Sequence, residues 1–249
     1  MILVLAHHYD AEAGWLCRTV EQDCQQAALL LWPEALGVDY SISLRLRGNG
    51  RHDALVSLFG PPASAFSGRS ARYVVNRLGY IEPLIWDKAG PSEKAYAAAE
   101  INAFFSAFVS SLPCLLSNPV RNGALWAGTG FEARWTSRLH GSGVAIHRLA
   151  TAGANEALQE LNRANPATLR RWLHFEGQLF SPSGQERSYP DIERAILQND
   201  PDEMLEFIAI EDSTTQSPRL LWVSRTPALS CYGRTFVNAL AIRTGGLAR

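Results

Sequence analysis

The order of apolar and polar positions opens as strand, helix, strand. Ile2 to Ala6 is wholly apolar, the pattern of a short β-run covered on both faces. His7, His8 and Tyr9 follow as a turn, and Asp10 stands where a helix N-cap accepts orphan amides. Ala11 to Gln26 reads as a helix with Trp15, Leu16, Thr19 and Val20 along one side, and Ala28 to Trp32 as a second buried strand closed by Pro33. That order predicts a parallel α/β layer with a right-handed crossover.

Tyr40 to Leu46 alternates apolar with polar, Asn49-Gly50 marks a tight turn, and Ala54 to Phe59 reads as the returning hairpin strand. Gly60 to Gly68 is expected to be a loop, and Arg72 to Leu78 a strand ending in polar groups. The strongest helix signal covers residues 92–112. There Ala97, Ile101, Phe104, Phe105, Phe108 and Leu112 recur at spacings of three and four, Ser92 is the expected cap, and Pro113 the stop. Tyr96 and Glu100 lie one turn apart on this helix and share a face. Cys114 to Leu116 reads as a short buried strand. Residues 1–118 are therefore expected to form one α/β domain.

Residues 119–249 are less regular and predict an α+β region. Helices are expected at Phe131 to Leu139, Ala154 to Arg163, Pro190 to Gln198 and Thr235 to Ile242. Strands are expected at Val144 to Leu149, Leu173 to Phe180, Leu205 to Ile210 and Arg219 to Ser224.

Composition narrows the function classes. A formal net charge of -1 at 19% charged residues argues against a dedicated nucleic-acid or anionic-membrane binder. Ile101 to Val120 carries no charge and has the length of a membrane span, but Asn102, Ser106, Ser110, Ser111, Pro113, Ser117 and Asn118 interrupt it. Cys17, Cys24, Cys114 and Cys231 form no paired framework and read as reduced thiols. The opening residues lack the basic stretch of a signal peptide. The expectation is a cytoplasmic, soluble chain without nucleic-acid or membrane partners. Within the 23 basic residues the only lysines are Lys88 and Lys94.

Val74-Val75-Asn76-Arg77, Trp86, Tyr96, Glu100, the aromatic helix, Leu112-Pro113-Cys114 and Asn118-Pro119, together with the opening strand, carry a family likeness. In order and spacing they resemble the N-terminal half of RimK-like members of the ATP-grasp superfamily. The later helix and strand over Phe131 to Ile146 resemble the segment that leads into the ATP-grasp core. The resemblance covers about the first 150 residues. It implies a Rossmann-like pre-ATP-grasp domain, followed here by a shortened, reduced ATP-grasp α+β remnant. It also implies carboxylate–amine ligase chemistry with ATP and magnesium. That chemistry needs lysines on core strands, a Gly-rich loop and acidic metal ligands ending in Glu-x-Asn. After Lys94 there is no lysine. Asn238 has Phe236 two positions before it, and neither Gly128-Thr129-Gly130 nor Gly141-Ser142-Gly143 is followed by lysine. Arg134, Arg138, Arg148, Arg170 and Arg171 are the cations left to neutralise phosphate.

Candidate substrate-binding residues cluster at predicted strand ends, where open α/β sheets place ligands. His7, His8 and Asp10 follow the first strand, as an acid/base or substrate-contacting group or as a capping Asp beside two turn histidines. Asn76 and Arg77 end a later strand, and Arg77 either grips an anion by its planar fork or pairs with Glu82 or Asp87. His140, His147 and His174 lack metal-ligand spacing, so no metal site is expected, and Cys231 reads as a structural thiol. Catalytic and nucleotide-binding residues stay unassigned.

Three functions remain open. The first is a pseudoenzyme-like component that binds a small molecule or peptide, or a partner protein, in a biosynthetic or peptide-modifying pathway, without a cofactor of its own. The second is an active ATP- and magnesium-dependent ligase that uses arginines. The third is a dimeric scaffold joined through helix 92–112, with a homo-oligomer compatible with all three.

Overall fold

A computed structural model describes residues 1–46, 52–59, 64–83, 88–120, 125, 131–146, 159, 161–185, 187–198, 203–212, 214–215 and 217–245. The chain divides into two compact units, Met1–Ala127 with Val237–Arg249, and Gly128–Phe236.

The first unit is built on a four-stranded parallel sheet in the order β2-β1-β6-β7, from β1 (Ile2–Leu5), β2 (Ala28–Leu31), β6 (Tyr73–Asn76) and β7 (Leu115–Ser117). All four residues of β1 are fully buried, as its unbroken apolar run dictates for a central strand. Each such aliphatic side chain contributes roughly 1.5–3 kcal/mol relative to exposure. Helix α1 (Ala11–Cys24) makes the crossover from β1 to β2 and buries Ala13, Leu16, Cys17, Val20 and Cys24. It stops two residues before the expected end because Gln25 adopts a left-handed φ of 52°.

Between β2 and β6 the chain forms a second, antiparallel sheet, β3 (Tyr40–Leu46), β4 (His52–Leu58) and β5 (Ser64–Ser67). β5 corrects the expected loop over 60–68. Ser64-Ala65-Phe66-Ser67 has little strand character of its own, and its pairing with Leu55–Leu58 is a long-range gain. Gly68 follows directly, and a Cβ there would meet Leu112 Cδ2 at 2.7 Å. Helix α2 (Pro91–Ser111) buries Ala98, Phe105, Phe108 and Val109. Its cap is Gly90 rather than Ser92, because Glu93 reaches back to the Gly90 amide at 2.9 Å.

The core of this unit joins Leu3, Leu5 and Val74 of the parallel sheet to Val56, Phe105 and Phe108. The chain's last described residues return to it. Thr244 Oγ1 donates to Gln26 Oε1 at 2.7 Å, and Arg72 Nη1 donates to the Thr244 carbonyl at 3.3 Å.

The second unit is an antiparallel sheet in the order β11-β10-β8-β9, from β8 (Leu169–Phe175), β9 (Gln178–Phe180), β10 (Leu205–Glu211) and β11 (Pro218–Ser224). The expected single strand over 173–180 is a hairpin. Glu176 and Gly177, at φ 50° and 72°, make the two-residue reversal that folds Leu173 back onto Phe180. Helices α3 (Phe131–Gly141) and α4 (Pro190–Leu197) belong to this unit, and α5 (Gly233–Arg243) closes the chain. Trp135 meets Phe207 edge-on at 5.5 Å, and Phe236 meets Phe175 and Phe180 at 5.3 and 5.9 Å. Of the strand expected over 144–149, Ile146 forms a bridge to Leu220, and residues 147–149 lie outside the described residues. Most of the helix expected over 154–163 also lies outside them. Among the described residues no helix is long and apolar enough to cross a membrane.

Candidate functional site

Three strands of the parallel sheet deliver polar groups to its C-terminal edge. β1 ends at Leu5, so His7, His8 and Asp10 emerge there, and Asn76 and Arg77 leave the adjacent β6 at the same level. β2 lies on the other side of β1 and supplies Glu34 from the 3-10 turn Pro33–Ala35.

Arg77 and Asp10 form a two-point ion pair, Nε to Oδ2 at 2.7 Å and Nη2 to Oδ1 at 3.1 Å. The Arg77 side chain is only 2% exposed. Asp10 Oδ1 also accepts the Ala13 amide at 3.2 Å, so one carboxylate caps α1 and neutralises the arginine of β6. Arg77 therefore meets a carboxylate 67 residues earlier in the chain, a partner absent from the Glu82 and Asp87 pairings suggested by sequence proximity.

His7 lies between two acceptors. Its Nδ1 is 2.6 Å from Glu34 Oε1, and its Nε2 is 2.9 Å from the Tyr80 carbonyl. A carboxylate and a carbonyl only accept, so both contacts form together when both ring nitrogens carry protons. Burial opposes ionisation of Glu34, but the His7 hydrogen bond, a backbone hydrogen bond and the charges of His7 and His8 hold its carboxyl below the ordinary value. Oε2 of Glu34 is buried without a hydrogen-bond partner among the described residues.

His8 Nδ1 lies 3.6 Å from Glu34 Oε1 and its side chain is 54% exposed. Tyr9 is exposed and stacks on His7 with ring centroids 5.0 Å apart. Burial, with the charges of Glu34, Glu82 and Asp10, raises the Tyr9 hydroxyl pKa.

Asn76 is turned inward. Its Nδ2 donates to the Asn118 carbonyl at 3.0 Å, Asn118 returns a bond to the Asn76 carbonyl at 3.2 Å, and Asn76 Oδ1 accepts the Leu78 amide at 3.1 Å. The pair fastens β6 to the end of β7. Of the five residues expected at this edge, the structure gathers His7, His8, Asp10 and Arg77 around α1 and Glu34, and places Asn76 in the clamp beneath. Glu34, Tyr9 and Asn118 were missed as members. The usable signal for Glu34 was its place just past the second strand of an expected parallel pair. The exposed chemistry is an imidazole and a phenol, His8 and Tyr9, over the hydrogen-bonded His7–Glu34 pair.

The second unit holds its own charged groups in pairs. Glu206 accepts from Arg171 Nη1 at 3.0 Å, from the Tyr232 hydroxyl at 2.9 Å and from the Ala228 amide at 3.3 Å. Glu203 meets Arg225 at 3.3 Å with both side chains buried. Glu211 binds Arg170 and also Arg187, the latter at 2.7 Å. Arg138 lies over the Trp135 ring at 5.5 Å, and Arg148 falls outside the described residues. A cavity of about 710 Å³ runs beside β8, lined by Arg170, Arg171, Gln185 and Arg187. Its cations are those that face Glu206 and Glu211.

No protein-family model and no curated protein sequence matches the chain. Solved structures do. The macrocyclase MdnC from Microcystis aeruginosa MRC, bound with precursor peptide MdnA, matches with a TM-score of 0.69 at 11% identity, covering 97% of this chain and 97% of its own. The ATP-grasp ligase PsnB, complexed with a phosphomimetic variant of its minimal precursor, Mg and ADP, matches with a TM-score of 0.66 at 11% identity, covering 98% and 97%.

The fold is that of ATP-grasp ligases.

A RiPP-associated ATP-grasp ligase from Chryseobacterium gregarium, in complex with ADP and a leader and core peptide, agrees at a TM-score of 0.61 and 11% identity, covering 98% and 94%. The likeness therefore runs over both units of this ATP-grasp-like chain, beyond the first 150 or so residues in which the sequence resemblance was found.

Proposed function

We propose that this chain is an ATP-grasp-fold component of a peptide-modifying pathway that binds a peptide or small molecule without carrying nucleotide chemistry of its own. In this reading the first unit is a Rossmann-like pre-ATP-grasp domain and the second a reduced ATP-grasp remnant. The substrate is met at the C-terminal sheet edge, on His8 and Tyr9, with Asp10, Arg77, His7 and Glu34 holding that edge in shape. Neighbours solved with precursor, leader and core peptides support a peptide as the substrate class.

One observation carries the reading. Two of the five arginines that would have to replace the missing phosphate-binding lysines are already matched to acids: Arg170 to Glu211 and Arg171 to Glu206. A guanidinium neutralised by a buried carboxylate has little charge left for a triphosphate, and breaking the pair to supply it would leave the carboxylate uncompensated. As paired, Arg170 and Arg171 do not fit a nucleotide triphosphate.

Calorimetric titration of Mg-ATP into the purified chain tests this. The expected result is no saturable binding up to millimolar nucleotide. A micromolar dissociation constant that disappears in Arg170→Ala or Arg171→Ala would overturn the reading, and ADP formation with a carboxylate and an amine acceptor would then identify the arginine-based ligase.

A further inference from the structure

Helix α2 presents a second face, adjoining its buried stripe and reaching out to Ser92, Glu93, Tyr96 and Glu100. A groove of about 630 Å³ lies between this helix and Leu36, within the size range of ligand pockets. Its floor is apolar, formed by Leu36, Ala97, Ile101 and Phe104. Ile101, Phe104 and Leu36 are only partly buried and continue outward from the hydrophobic core. Tyr96 stands over it, 68% exposed.

The rim has one sign of charge. Glu93 and Glu100 line the groove seven residues apart, two turns along one stripe of α2, or about 10.5 Å. No cation is among its lining residues within the described part of the chain. Glu93 accepts the Gly90 amide through Oε2 at 2.9 Å, which fixes its carboxylate at the rim.

We propose that this groove docks a basic amphipathic helix of a partner polypeptide. Apolar side chains at i, i+3 or i+4 and i+7 would fill the floor, and arginine or lysine residues spaced seven apart would meet Glu93 and Glu100. The spacing of the two carboxylates equals one heptad of such a helix. An acidic helix is repelled by the same rim. The proposal rests on the reading of the chain as a polypeptide-binding component, but not on whether it binds nucleotide.

Fluorescence anisotropy with a labelled synthetic helix of three heptads, leucine on one stripe and arginines seven residues apart, tests the docking. The control peptide has glutamates in place of the arginines. The full chain is expected to bind the basic peptide and not the acidic one, with affinity falling as salt rises. Glu100→Gln is expected to weaken binding about threefold, and Glu100→Lys about tenfold. Ala97→Arg, which fills the floor with a charge, is expected to abolish it. Thermal melts show whether that variant folds, and the exposed Glu100 variants carry the test if it does not. Equal binding of both peptides, or basic-peptide binding indifferent to Glu100→Lys, overturns the proposal. So does sedimentation showing that a second copy occupies the face, as a dimer broken by Ala97→Arg. None of these results bears on the Mg-ATP titration, so failure of the groove and failure of the nucleotide-free reading are distinguishable.

Discussion

Asp10 and Arg77 share two hydrogen bonds across the C-terminal edge of the parallel sheet, at 2.7 and 3.1 Å, while Asp10 also holds the Ala13 amide of α1. One carboxylate thus fixes the first helix to the third strand of the unit's parallel sheet. Asp10→Ala is expected to cost about 3–5 kcal/mol, the range for removing one partner of a buried pair. Asp10→Asn keeps a good capping side chain and loses the charge, so it separates the two roles. Urea denaturation of both variants measures the difference, and equal stability of Asp10→Ala and the parent chain would count against the pairing.

The His7–Glu34 contact gives stability a pH dependence with a definite sign. Glu34 has its carboxyl pKa lowered below the ordinary 4.5 in the folded chain. A depressed acid stabilises the fold above its unfolded value and loses that contribution as pH falls through the folded one. The parent chain is therefore expected to lose stability more steeply than Glu34→Gln below about pH 4.5. Thermal melts of the two proteins across that window read the slopes directly; parallel slopes would refute the linkage.

The four thiols are expected to react in two classes. Burial pushes Cys17 up to about 12 and Cys114 up to about 11, and Cys24 is raised as well. Cys231 is exposed. The thiolate is the reactive form, so a disulfide-exchange reagent at mild alkaline pH is expected to label Cys231 fast and the others slowly. Cys231→Ser should remove the fast phase. If the fast phase persists, the burial assigned to the other three is wrong.

Glu206 is the acidic centre of the second unit, taking Arg171, the Tyr232 hydroxyl and the Ala228 amide. Glu206→Ala strips a buried hydroxyl and a guanidinium of this acceptor at once. A loss of about 3 kcal/mol or more is expected, with a lower midpoint in chemical denaturation. Glu206→Gln keeps an acceptor for Tyr232 and is expected to lose less. Equal losses would mean that the charge of Glu206 contributes nothing.

Much of the fold was legible along the chain, and the site only in part. The apolar run of β1, the helix after Asp10 and the stripe of α2 are local signals, each set by periodicity and capping. The Ser64–Ser67 strand and the hairpin at Glu176-Gly177 were not legible. The first exists by pairing with Leu55–Leu58, and the second turns on positive φ at a glutamate, which its residue type does not announce. His7, His8, Asp10 and Arg77 were found because strand ends in an α/β sheet collect polar groups. Their partners were not, because Arg77 reaches back 67 residues to Asp10 and His7 forward 27 to Glu34.

By itself the sequence determined the class of the fold, the absence of lysine after Lys94 and the residues gathered at the sheet edge. Those follow from composition and from periodicities of two and 3.6. Only the tertiary structure decided which charges neutralise one another. Ion pairs depend on distances of a few ångströms between residues far apart in the chain, and no local pattern encodes them. That pairing turns the lack of lysine into an argument about function, because Arg170 and Arg171 already face Glu211 and Glu206.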